Sequence, residues 1–212
     1  LKMSDFPGFG GALYPLFSQP LYVAGDTLTD AMVDYVTNLS FHHDPMKNNG
    51  QTTDEQMLLD GCPEMKALIE KHLNFYVYTI LKIDRKFRLQ HHCSWATKHV
   101  TGDKANKHSH CNSVFSGVLY IKTMPASGKI AFHNDGYRPT YITPTLQPDL
   151  TEHNIYNSTE WTITPQDGMI VLFPSTLEHS VDVNMELEDR YSVAFNYWLH
   201  GSYGSNTNRL TV

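Results

Sequence analysis

MIVLFPSTLEHSVDVNMELEDRYSVAFN, residues 169–196, is the stretch that decides the fold. Met169 to Phe173 is an apolar run of strand length, and Pro174 stops it. Ser180–Val183 follows as a second short segment. After the charged turn Asn184 to Asp189, Arg190 opens the apolar-rich strand Arg190–Leu199. Turns this short bring the chain back near its starting point. His179 and Arg190 are therefore expected close in space, as cross-strand neighbours or across a sandwich corner. A histidine leaving the end of a buried strand is also well placed to line the mouth of a barrel.

The same period of two extends toward the N-terminus. Phe87, Leu89, His91, Cys93 and Trp95 alternate with polar neighbours, as in a strand with one buried face. Val114–Lys122, Lys129–His133, Thr140–Thr143 and Glu160–Ile163 are further strands, separated by the turn formers of Pro125–Gly128, Asn134–Gly136 and Gln166–Gly168. Many short strands at such spacing favour a sandwich or barrel over a parallel sheet with crossover helices. Before Phe87 the period is about 3.6. Asp26-Thr27 is placed to cap a helix carrying Leu28, Met32, Tyr35, Val36 and Leu39. Pro63 starts a second helix, with Met65, Leu68, Ile69, His72, Leu73 and Tyr76 on one stripe, that runs to about Ile83. His42 to Thr53 is rich in turn formers and is expected to be a loop. The expected architecture is mainly β, a jelly-roll barrel over 86–200 with a helical support over 1–85 and a tail over 201–212, all in one domain.

A formal net charge of −6 argues against broad nucleic-acid binding, which relies on clustered Lys and Arg. Three cysteines, Cys62, Cys93 and Cys111, are too few for a disulfide framework, and none forms a CxxC pair. No apolar run approaches the roughly 18–20 residues of a membrane span. The expectation is a soluble cytoplasmic protein in a reducing setting.

Twelve histidines make any single one weak evidence, so arrangement decides. His108 and His110 stand two apart; on a strand, both rings point to one face and can converge on an ion. Imidazole suits iron, zinc, copper or nickel. Solvated histidines on a polar loop are the plainer alternative. Arg190 carries a planar fork that stays charged and binds carboxylate bidentately. Buried, it needs a partner: either an internal acid such as Asp189 or Glu178, or a carboxylate-bearing ligand beside a metal.

HxH, then SGVLYI, DGMIVLFPSTLEHSV and RYSVAFN, resembles the Fe(II)- and 2-oxoglutarate-dependent oxygenase superfamily. The closest resemblance is to a group of oxygenases of marine bacteria and phages similar to prolyl 4-hydroxylases, and it spans roughly Leu13 to Gly201. It implies a double-stranded β-helix that uses Fe(II), 2-oxoglutarate and O2. It implies that His179 is the distal iron ligand and that Arg190 holds the far carboxylate of 2-oxoglutarate. Ser192, on the same strand face as Arg190, matches the family's RxS pattern. Tyr120 corresponds to a tyrosine that reaches the cosubstrate from an inner strand, though a core aromatic is an equal reading.

The sequence departs from the family at one place. Where HxD or HxE is usual, His110 stands at the carboxylate's position. Three accounts stay open. His108, His110 and His179 all bind; or only one of His108 and His110 binds, with water in the vacant position; or Asp135, after the strand KIAFHN, supplies the carboxylate. The three-His set is favoured, with Asp135 in reserve.

The expected function is a dioxygenase that hydroxylates or otherwise oxidises an unidentified substrate, a small molecule or a peptide or protein side chain. The alternative is a non-oxygenase, cupin-like jelly-roll in which histidines hold Zn or Ni in a closed site. Zinc-catalysed hydration or hydrolysis ranks last, because no general base stands out. The segment Asn134 to Asn157, rich in Pro, Tyr and Thr, is a candidate lid.

Overall fold

Alternation along the strands sorts the apolar residues into two core layers. The computed structural model describes residues 14–15, 18–43, 50–134 and 149–212. In chain order the elements are β1 (Tyr22–Gly25), α1 (Asp30–Thr37), β2 (His42–His43), β3 (Gln51–Thr52), α2 (Pro63–Asn74), β4 (Arg88–His99), β5 (Ala105–His108), β6 (Phe115–Lys122) and β7 (Ile130–His133). Then come β8 (Glu160–Ile163), β9 (Met169–Pro174), β10 (His179–Val181), β11 (Arg190–His200) and the small pair β12 (Ser202–Tyr203) and β13 (Leu210–Thr211). A larger sheet has the order β1-β9-β6-β11-β4-β3-β2, and a smaller one has the order β5-β10-β7-β8. Neighbouring strands run antiparallel in both, as in a jelly roll.

On one face of the larger sheet Leu119, Ile170, Val193 and Phe195 pack in a single cluster with Met65, Ile69 and Leu73 of α2. On the other face Tyr120, Val171 and Phe173 meet Ile130 and Phe132 of the smaller sheet. Residues one apart in β6 and β9 thus serve opposite layers, as a strand's period of two requires. A cavity opens between the two sheets.

Several local expectations shift. The cap of α1 is Thr29, whose hydroxyl accepts the Met32 N–H at 3.3 Å, not Asp26-Thr27. Asp26 is instead drawn to Lys71 and His72 of α2. Pro63 does open α2, but regular α-helix ends at Asn74 and continues as a wider π-helical stretch over Phe75–Ile80. The presumed loop from His42 to Thr53 carries β2 and β3, and β3 pairs with β4. The strand expected at Thr140–Thr143 lies outside the described residues, as does most of the candidate lid.

One shift redirects the site. The ladder between β4 and β11 skips a residue, with Asn196 opposite Cys93 and Tyr197 opposite His91, so His92 is bulged out. The alternation of Phe87 to Trp95 therefore does not hold one face. Leu89 packs on the helical side, Ser94 and Ala96 follow it there, and Trp95, Thr97 and His99 turn to the cavity.

Candidate metal and cosubstrate site

β5 ends on His108 and β10 begins on His179, and the two residues are direct partners in the ladder. His179 thus starts a strand rather than ending one, because the turn after Pro174 places it there. His110 lies just beyond β5, held by its backbone N–H to the Ser175 carbonyl at 2.9 Å. Its convergence with His108 comes from this turn, not from alternation within a strand. The ring centroids are 4.4 Å apart for His108 and His179, 5.1 Å for His110 and His179, and 5.2 Å for His108 and His110. One ligating atom from each of the three falls within 4.8 Å of the others.

Backbone carbonyls choose the tautomers. Nδ1 of His179 lies 2.9 Å from the Leu177 carbonyl, and Nδ1 of His108 lies 2.7 Å from the Asn106 carbonyl. A carbonyl only accepts, so each Nδ1 carries a proton, and in the neutral ring the lone pair offered to an ion is then that of Nε2. Burial pushes the His179 ring down to about 3 and the His110 ring, with His108 close by, down to about 4. Neutral imidazole is the form that ligates metal.

Arg190 begins β11 on the opposing sheet and is buried at 3 % exposure. Nη1 donates to the carbonyls of Ser127 at 3.3 Å and Gly128 at 3.1 Å, and Nη2 donates to His99 at 2.9 Å. Nε has no hydrogen-bond partner among the described residues. Among the described residues no acid pairs with this guanidinium. Both internal candidates are engaged elsewhere, Asp189 with Lys98 and Glu178 with Lys107. A desolvated cation without a counter-ion is costly unless a ligand supplies one.

Tyr120 and Ser192 face each other across the β6–β11 ladder, and both line the cavity. The Arg190 guanidinium lies 5.8 Å from the Tyr120 ring centre. Burial pushes the Tyr120 hydroxyl up to about 12, so it remains a neutral donor. The cavity measures about 470 Å³ and joins all six of these residues, His108, His110, His179, Arg190, Ser192 and Tyr120. His179 and Arg190 therefore line one cavity from opposite sheets. Asp135 lies outside the described residues. Sequence reasoning missed Trp95, Thr97 and His99, which line the same space. Only the bulge at His92 reveals their direction.

The donor set fits a divalent transition metal: three nitrogen ligands on one side of a partly buried cavity, leaving the other side open. No acidic side chain lines the cavity among the described residues, so its field favours an anion.

Residues 93–196 match the family described as "Putative 2OG-Fe(II) oxygenase". No curated protein matches the chain. Among solved structures, a prolyl-4-hydroxylase of Pseudomonas putida is similar at a TM-score of 0.51 and 14 % identity, over 87 % of this chain and 95 % of that one. HygX of Streptomyces hygroscopicus, a structure with nickel and 2-oxoglutarate bound, is similar at 0.53 and 12 %, over 85 % and 83 %. A 2OG-Fe(II) oxygenase family oxidoreductase of Burkholderia pseudomallei is similar at 0.54 and 12 %, over 79 % and 76 %.

Proposed function

We propose that this chain is an Fe(II)- and 2-oxoglutarate-dependent oxygenase, a reading supported by the family match over residues 93–196, in which His108, His110 and His179 hold the iron through Nε2 and Arg190 anchors the far carboxylate of 2-oxoglutarate. The observation that carries this reading is one cavity with a three-imidazole cluster on one wall and, on the other, a buried guanidinium that no acid among the described residues pairs with. Fe(II) with 2-oxoglutarate supplies the oxidative chemistry: O2 and the 2-oxo acid are consumed, succinate and CO2 leave, and the second substrate is oxidised.

The chain's own part is binding and orientation. Arg190 meets a carboxylate with directional, charge-assisted donors. Tyr120 and Ser192 add hydroxyl donors beside it. With the two ends of the cosubstrate held on opposite sheets, its orientation is fixed before reaction. A cavity of about 470 Å³ supports a substrate the size of a small molecule or a single side chain of a peptide or protein. The three cysteines are free, in keeping with a reducing, cytoplasmic setting as part of this proposal.

Succinate release by purified protein supplied with Fe(II) and 2-oxoglutarate tests the reading. Turnover that needs both and falls to background without either is expected. Tight zinc binding, no stabilisation by 2-oxoglutarate and no succinate would overturn it in favour of a histidine-held Zn or Ni module.

A further inference from the structure

One buried ring in the cavity has no task in the iron and cosubstrate assignments. His99 ends β4 directly opposite Arg190 in the ladder and is buried at 1 % exposure. Its Nδ1 lies 2.9 Å from Arg190 Nη2. A guanidinium has donors only, so Nδ1 carries no proton and accepts. The guanidinium is thereby held from two sides, Nη1 by the Ser127 and Gly128 carbonyls and Nη2 by the imidazole. The carbonyls belong to the backbone; His99 is the side chain that substitution can remove.

The ring's own placement is constrained. Gly50 has φ +72°, and a Cβ there would lie 2.2 Å from His99 Cδ2. Only glycine leaves the ring its room. Asn184 Nδ2 donates to the His99 carbonyl at 2.9 Å, fixing the backbone beneath. We propose that His99 is a positioning residue for Arg190: it fixes the guanidinium's orientation and so sets the cavity's preference for a 2-oxo acid that carries a second carboxylate. Carboxylate recognition by guanidinium is directional, so a fork free to turn loses contact even though its charge remains. This inference rests on Arg190 being the cosubstrate anchor.

The test is calorimetric binding of 2-oxoglutarate and of pyruvate, which lacks the second carboxylate, to protein loaded with Ni(II) as a redox-inert ion. His99→Phe keeps the ring and removes the acceptor; His99→Asn puts an acceptor oxygen near the place of Nδ1. His99→Phe is expected to weaken 2-oxoglutarate about tenfold or more, the worth of a hydrogen bond to a charged group, while pyruvate binding holds. His99→Asn is expected to restore most of the loss. Gly50→Ala, which displaces the ring without removing it, is expected to act like His99→Phe. Should His99→Phe fail to fold, Gly50→Ala and His99→Asn carry the comparison.

Unchanged 2-oxoglutarate affinity in both His99→Phe and Gly50→Ala, or equal losses for both acids, overturns the inference. Arg190→Met is run alongside. If it leaves 2-oxoglutarate binding intact, the anchor reading itself fails; if Arg190→Met weakens binding and the His99 and Gly50 variants do not, only the positioning role fails.

Discussion

The two walls of the cavity are built differently. The smaller sheet carries the imidazoles on short strands: β5 is an edge strand, and His110 sits beyond its end. The larger sheet carries Arg190, Ser192 and Tyr120 on β11 and β6, each paired on both sides. Backbone carbonyls fix the protons of His108 and His179, whereas Arg190 is held by carbonyls and a side chain together. The metal wall thus depends on turn geometry at a sheet margin. The anion wall depends on register deep in a sheet.

The largest effect should come from the metal wall. His179→Ala removes the most buried of the three imidazoles proposed to hold iron, and because losing even an outer partner of a metal ligand costs about 10–100-fold, a loss of iron affinity above about 100-fold is expected. Iron content after dialysis checks this; full retention would break the assignment. Next comes the anion wall. At about 100 times its Kd a ligand adds about 2.7 kcal/mol of stability. The wild-type protein should show that gain with 2-oxoglutarate in a thermal melt, and Arg190→Met should lose it while iron stays bound.

A pair of changes at His110 sharpens the metal side. His110→Ala should weaken iron, and His110→Asp, which installs the usual carboxylate, should keep it within about tenfold of wild type. A silent His110→Ala would instead favour water or Asp135 in that position. The smallest effect is expected from pH. Burial holds His110 at about 4 and His179 at about 3, below the ordinary 6.5, so on acidification the unfolded chain takes up protons first. The metal-free protein keeps this contribution above pH 6.5 and loses it progressively as pH falls toward those values. Melting points at about pH 7.5 and about pH 5 should differ by several degrees, and the difference should shrink in His179→Phe. An unchanged difference in that variant would contradict the buried, neutral ring.

The walls also differ in how far the sequence reveals them. β6, β9 and β11 were legible because both faces are buried and their apolar runs stop at clear turn residues. Arg190, Ser192 and Tyr120 fall where the alternation of those strands puts them. His108 and His110 were legible as a pair, but the turn at Ser175 that gathers His110 rests on a backbone hydrogen bond no residue type announces. Pro63 marked its helix, while Asp26 looked like a cap until α2 supplied Lys71 and His72 as better partners. His99 was invisible because its meaning depends on pairing with a strand about 90 residues away.

The bulge at His92 makes residue count, rather than residue identity, a functional quantity of β4. Deleting His92 would leave His91 opposite Tyr197 and Cys93 opposite Asn196, the partners they already have. Deleting any one residue between Ser94 and Lys98 would exchange inward and outward faces over part of the strand and pull Trp95 or His99 out of the cavity. Insertions and deletions in descendants of this chain should therefore be tolerated at that single kink and selected against in the few positions that follow it.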